Sequence, residues 1–434
     1  MAKSASDTTA ASGSSFTGKL LTVLGGSSFS TILPVAVSPV LSRLFDASSG
    51  FAPFAFFMSS CYLVAAVANS HYTTAILVAD REEESRDVFQ LSTWINLLIA
   101  AVLLGFCLFG AWPLMNWFHA PEGFVQLIWL VPVQVFFMGI YANLLQWNFR
   151  KEQFRRISFS RMFQSLVTVL IQLIAGWYHW PVNGLILGMA GGQLVALIAL
   201  AFLTLRDDRH LMDFPHPKQL KASAAQYRMF LQFQTVADLI NVFTQQLPTF
   251  LLGRFGFIRE MGWFGFANRV LIAPSSIVTG AIGDVFRQQA AADYRETGSA
   301  LLVFHKTTKL LLGVMVVPSL ATAIWGPDLF RLLFGAEWYN AGEYARILII
   351  MLFPKFIVSP LSYMYIIARK QQEDAWLHLL ILLLTGGALY AGFQITGTAA
   401  GMLLYFSVAY AIIYLIYYIR SFTFAKGTRS AEHD

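Results

Sequence analysis

Charge is what this sequence has least of. Only 12% of its 434 residues are Asp, Glu, Lys or Arg, while 56% are hydrophobic. Soluble domains carry about 25% charged residues. The shortfall excludes a water-solvated enzyme and a disordered chain, and the mean hydropathy of +0.58 agrees. Cysteine is nearly absent. Cys61 and Cys107 both sit in apolar runs, so neither a disulfide framework nor a metal-ligand cluster is available. Runs of alternating polarity are missing, which argues against a membrane β-barrel. A Gly-x-x-x-x-Gly-Lys-[Ser/Thr] phosphate cradle is missing too, and with it the usual ATP-hydrolysing loop.

What the sequence has in quantity is apolar length. Runs able to cross a membrane as helices occur at about 20–44, 51–78, 88–112, 125–148, 158–178, 183–205, 230–252, 262–286, 302–325, 343–368, 374–394 and 398–419. The first runs too far for a signal-peptide core, and no cleavage site follows it. The fold class is therefore an all-α polytopic membrane protein of about twelve spans.

The cations orient it. With the N-terminus in the cytoplasm, 23 of the 30 Lys and Arg residues fall in inner segments. Four (Arg43, Arg254, Arg259 and Arg331) fall outside, and Arg269, Arg346 and Lys355 lie within spans. Such a bias follows the positive-inside rule and places both termini in the cytoplasm. The net charge of +6 is thus a topology signal, and nucleic acid is not an expected partner.

The longest polar loop carries Pro215 and Pro217 and divides the chain. The expected organisation is a cytoplasmic tail (1–19), an N-lobe of six spans (20–205), an inter-lobe loop (206–229), a C-lobe of six spans (230–420) and a cytoplasmic tail (421–434). A weak internal repeat supports two related halves. Leu33-Pro34 with Ser42-Arg43-Leu44 matches Leu247-Pro248 with Gly253-Arg254-Phe255, and Arg150-Lys151 matches Arg369-Lys370. An even number of spans per half gives a pseudo-twofold along the membrane normal, a transporter architecture with its substrate path between the lobes.

Polar groups inside spans are functional candidates, because burying them in lipid is costly. Gln234, Asp238, Asn241 and Gln245 form one stripe on span seven, lining a wet cavity or bonding to neighbouring helices. Asp238 is the candidate for coupling to a proton or sodium gradient; no bound cofactor or metal is expected. Lys355 lies mid-span in span ten, sharing a face with Ser359 and Ser362; it lines a cavity or meets a buried partner such as Asp238. Arg269 in span eight stands above Ala273, Ser276, Gly280 and Gly283, a small-residue face open to an anionic head group, unless it snorkels to the outer interface. Arg161, at the inner entrance of span five, could meet an incoming phosphate or stay solvated; Ser165, Thr168 and Gln172 continue its face. Glu343 and Arg346 read as an interfacial pair, and His71 as an interfacial histidine. Gly184, Gly188 and Gly192 read as a helix-packing row. Nine prolines within spans favour helices that bend.

Several short sequences in fixed order resemble one family over nearly the whole chain. They are Leu41-Ser42-Arg43-Leu44-Phe45, Gln245-Gln246-Leu247-Pro248, Asn268-Arg269-Val270-Leu271 with Pro274, and Ala281-Ile282-Gly283-Asp284-Val285-Phe286. Further on come Leu333-Phe334-Gly335-Ala336-Glu337-Trp338, Tyr344-Ala345-Arg346-Ile347-Leu348 and Ser359-Pro360-Leu361-Ser362. Together they resemble the polysaccharide-export, Wzx-type flippases of the multidrug/oligosaccharidyl-lipid/polysaccharide superfamily. Two departures stand out: His71-Tyr72-Thr73 replaces a common Arg-Tyr-Glu, and Gly50-Phe51 replaces the usual Phe-Gly. The resemblance implies a bacterial inner-membrane transporter that is not an enzyme. Its implied substrate is an undecaprenyl-diphosphate-linked oligosaccharide, moved between leaflets by alternating access. Membrane lipid, and a polysaccharide polymerase with its chain-length machinery, are the implied partners. In that frame Arg269 and Lys355 would meet the diphosphate, and Gln234, Asn241 and Gln245 the glycan. A cation-coupled multidrug-type exporter of the same superfamily is the alternative. A membrane glycan polymerase or ligase is disfavoured by outer loops too short to carry acid–base chemistry.

Overall fold

The computed structural model describes residues 28–68, 72–212, 217–227 and 235–427. The described residues form helices and no strands. Twelve of these helices matter here. They are α1 (Ser38–Leu44), α2 (Ala52–Ala68), α3 (Glu82–Phe109), α4 (Leu130–Arg150), α5 (Phe154–Trp177), α6 (Gly184–Asp207), α7 (Thr235–Arg254), α8 (Ile258–Thr297), α9 (Leu301–Phe334), α10 (Tyr339–Leu361), α11 (Gln371–Thr396) and α12 (Ala399–Lys426). Residues 28–36 are helical ahead of α1.

Ten of the described helices are long and apolar enough to cross a membrane. The protein is thus a multi-pass membrane protein of all-α class. The remaining two of the twelve expected spans have physical explanations. The first is described only from Ser28 onward. The seventh, α7, is described only from Thr235 onward and carries Asp238, Asn241, Gln245 and Gln246, polar groups that lower its hydropathy.

The helices group into two units. One comprises the described parts of Met1–Val37, Phe57–Trp117 and Glu122–Leu239. The other comprises those of Ser38–Phe56, Phe118–Pro121 and Ile240–Asp434.

The first unit is built on α3, α4, α5 and α6. Trp147 of α4 is fully buried among Ile76, Val88, Phe89 and Leu200. A buried indole needs an acceptor, and Trp147 donates to Asp208 Oδ2 at 3.0 Å. Two further polar pairs join the helices: Ser92 donates to Asn143 (2.9 Å) and Asn148 to Thr204 (2.7 Å). At the α4 C-terminus Arg150 donates to the Ala79 carbonyl, and Lys151 bridges Glu82, both at 2.5 Å.

The glycine row of α6 is a packing surface. A Cβ on Gly192 would lie 1.9 Å from Thr168 Oγ1, and one on Gly188 2.4 Å from Gln172 Cγ. Both partners are on α5, so the polar face Ser165, Thr168 and Gln172 is turned to α6 and buried there. Gly192→Leu should therefore force the two helices apart. An overpacking cost of about 1–3 kcal/mol is expected, seen as a lower midpoint in thermal unfolding of detergent-purified protein. Gly105→Leu, at a site with open space, is the control that should stay near wild type.

The second unit is anchored by an aromatic knot. Phe266 of α8 packs on Phe51 (4.9 Å), Phe334 (4.9 Å) and Trp338 (4.2 Å), measured between ring centroids. Ser42 donates to the Phe334 carbonyl at 3.0 Å, and the Trp338 indole donates to the Ser42 carbonyl at 2.8 Å. Two signature segments, 41–45 and 333–338, are thereby locked onto each other. The turn between α1 and α2 is set by Asp46. Its carboxylate accepts from the Ser48 and Ser49 amides at 2.8 and 2.7 Å. Burial works to raise its pKa, but these bonds and those from both hydroxyls outweigh it and hold the carboxyl below its ordinary value.

Two helix ends in the first half have counterparts of like backbone form in the second. Glu152 after α4 and Arg369 before α11 both take positive φ, 53° and 57°. Both are followed by a six-to-one backbone bond, Gln153 to Asn148 (2.8 Å) and Lys370 to Tyr365 (2.7 Å). His179 after α5 and Gly397 after α11 likewise take positive φ, 47° and 65°. The structural register pairs Glu152 with Arg369. The sequence match of Arg150 with Arg369 is thus two residues out of step.

Candidate functional site

Within the second unit, α7, α10 and α12 bring three sequence-selected side chains and one unselected aromatic together. Lys355 is half-buried in α10 between Pro354 and Pro360. Its Nζ donates to Gln245 Oε1 at 3.3 Å, and Gln245 Nε2 donates to Asn241 Oδ1 at 3.1 Å. Gln245 and Asn241 lie one turn apart on α7, so one face of that helix presents both amides. The ammonium also sits 5.6 Å from the centre of the Tyr410 ring on α12. An amide and a ring do not cancel a positive charge. A lysine has three N–H donors, and Gln245 takes one. The remaining two can meet the oxygens of an anion, while the amides offer both donors and acceptors to a polar ligand.

Arg269 on α8 lies over the Phe54 ring at 5.6 Å. In the first unit, Arg161 on α5 lies beside the Tyr141 hydroxyl, which bonds Ser160 at 2.9 Å. Asp238 is exposed on α7, near the start of its described part. Gln234 and His71 lie outside the described residues. Arg346 pairs with Glu343 at 3.2 Å, as their spacing anticipates, and also donates to the Ile324 carbonyl.

A model of the family described as "Polysaccharide biosynthesis protein" matches residues 40–343. The chain belongs to this family. The succinoglycan biosynthesis transport protein ExoT of Rhizobium meliloti (strain 1021) is 25% identical over 334 residues, covering 75% of this chain. The match spans 63% of that relative's length. The fold resembles that of the lipid II flippase MurJ in an inward closed conformation, with a TM-score of 0.71 at 11% identity over 92% of this chain and 89% of that one. It also resembles an inward-facing multidrug resistance MATE family transporter of the MOP superfamily, with a TM-score of 0.65 at 13% identity over 93% of each chain.

The cluster around Lys355 also extends to residues that no polar interruption of a span marks. Tyr410 continues along α12 into a column of phenols. Its ring lies 5.1 Å from Tyr414, which lies 5.8 Å from Tyr417. Tyr417 donates to Asp374 Oδ1 at 3.1 Å and packs on Tyr365 at 5.4 Å. The signal was present as tyrosines at i, i+4 and i+7, a helical period. Inside an apolar run, however, tyrosine reads as core or interface rather than as part of a site.

Proposed function

We propose that this chain is a flippase for undecaprenyl-diphosphate-linked oligosaccharide repeat units. It carries them from the inner to the outer leaflet of the bacterial cytoplasmic membrane by alternating access, with both termini in the cytoplasm. The carrying observation is Lys355: an ammonium in a membrane helix that meets no carboxylate among the described residues and lies beside the amides of Gln245 and Asn241. A diphosphate is an anion with several acceptor oxygens, and charge-assisted hydrogen bonds are the strongest available to hold it. The adjoining amides suit sugar hydroxyls. Family membership supports a place in polysaccharide biosynthesis, and the relative named as a transport protein supports movement rather than synthesis. The flippase fold is compatible with a lipid-borne cargo. In this reading the chain catalyses no bond chemistry. Arg269 and Arg161 act as further cationic contacts along the path, and Asp238 is the coupling group for a proton or sodium gradient.

Deleting the gene in its host should leave lipid-linked repeat units accessible only from the cytoplasmic leaflet. Impermeant glycan-oxidising reagent applied to intact cells and to inverted vesicles reads the sidedness. Undiminished outer-leaflet delivery, in a strain without a second flippase, refutes the reading. A changed drug-susceptibility profile with normal glycan delivery would instead favour a small-molecule exporter.

A further inference from the structure

Helices α8 and α10 leave an open cleft of about 200 Å³ in the second unit. Its floor is the backbone of Gly280 and Gly283, and its walls carry Ser276, Thr279, Asp284, Ser359 and Tyr363. Sites for drug-sized ligands run to ~300–1,000 Å³, so this one suits a single ring rather than a chain. It starts at Ser359, one helical turn (about 6 Å) from Lys355 along α10.

The lining has a definite hydrogen-bonding sense. The Ser276 hydroxyl donates to the Ala273 carbonyl (2.8 Å), and the Thr279 hydroxyl donates to the Ser275 carbonyl (3.0 Å). Both therefore turn acceptor lone pairs to the cleft. Asp284 accepts from Arg287 through Oδ1 at 3.0 Å, leaving Oδ2 to accept again. The guanidinium of Arg287 is drawn onto the Tyr363 ring, 5.1 Å from its centre, and the rest of that ring edge borders the space. A wall rich in acceptors, its one carboxylate already paired with Arg287, receives a ligand that brings many donors. An aromatic edge beside it suits an apolar C–H face. A sugar ring has both properties. The glycine floor admits it close to the backbone, since a Cβ on Gly280 would meet nothing within 4 Å.

We propose that this cleft seats the first sugar ring of the lipid-linked glycan, one turn from the diphosphate at Lys355. This rests on the flippase reading above and assigns it a sugar subsite. The test uses purified full-length protein in detergent and two soluble probes, geranyl diphosphate and its hexosyl derivatives with glucose, galactose and N-acetylglucosamine. The wild type should hold at least one hexosyl probe about tenfold or more tighter than geranyl diphosphate. Gly280→Leu, whose Cβ meets nothing within 4 Å, takes up cleft space and should bring that ratio to about one, with geranyl diphosphate affinity unchanged. Asp284→Asn and Ser359→Ala should each lower the ratio in the same way. Lys355→Ala should weaken every probe. A ratio that survives Gly280→Leu overturns the subsite, and so does a wild type that binds geranyl diphosphate through Lys355 with no preference for any sugar. Both of those results leave the flippase reading standing. Failure of every probe to bind in a Lys355-dependent way overturns both.

Discussion

Lys355→Met should abolish delivery of lipid-linked repeat units while leaving the protein in the membrane. Among the described residues no carboxylate pairs with Lys355, so removing its charge strands no opposite charge there. Gln245 retains its bond to Asn241, and the thioether chain fills much the same volume. The fold should therefore survive. What disappears is the set of charge-assisted hydrogen bonds to the diphosphate, worth about 1.5–3 kcal/mol each. Two such bonds correspond to a loss of at least about a hundredfold in substrate affinity. Lys355→Arg keeps the charge but replaces a compact ammonium with a longer planar fork, and partial function is expected. The measurement is complementation of a deletion strain, scored as surface polysaccharide and normalised to the protein present in membranes. Wild-type polysaccharide from Lys355→Met at normal protein level would sink the assignment of this residue.

The second large effect is structural. Trp338→Ala should remove most of the folded protein. Trp338 is 1% exposed, and its ring contacts Phe51 and Phe266 at 5.0 and 4.2 Å. Truncating a buried Trp costs about 3–5 kcal/mol. Losing the indole donor also leaves the Ser42 carbonyl without it, at a further cost of about 1–3 kcal/mol. Marginal stability of ~5–15 kcal/mol leaves little after that. Trp338→Phe keeps ring contacts but not the hydrogen bond, so an intermediate loss is expected. Fluorescence-detected size-exclusion chromatography of a tagged protein, before and after heating, separates the three.

These two residues show what a sequence of this kind displays and conceals. Lys355 and Gln245 were legible because a polar group in an apolar run has few innocent explanations. Tyr410 was not, because a phenol is compatible with lipid interface, core and site alike. The segments around Ser42 and Trp338 were recognisable as a family signature, yet their role could not be read from it. The structure shows them holding one another, so that signature records packing rather than ligand contact. Spans were legible wherever apolar composition dominates, and least so in α7, whose polar stripe is the part that meets Lys355. Helix ends were hardest. Glu152, His179 and Arg369 occupy a backbone region usually given to glycine or asparagine, and no residue preference announces them. The repeat could therefore be seen in the sequence but not put in register.

The length of α8 has a mechanical consequence. Its 40 residues extend about 60 Å, roughly twice the hydrocarbon thickness. Pro274 interrupts its hydrogen-bond ladder with 23 residues still to come, Thr297 included, an arm of about 35 Å. A bend of ~10° at Pro274 would sweep the far end through about 6 Å, comparable to one turn of helix. That end is not free to swing alone. Ala300 donates to the Ala425 carbonyl at 2.8 Å, and Ser299 does so at 3.0 Å, tying it to the last turn of α12. A small flexure at one proline is thus amplified and handed to the helix that carries the tyrosine column.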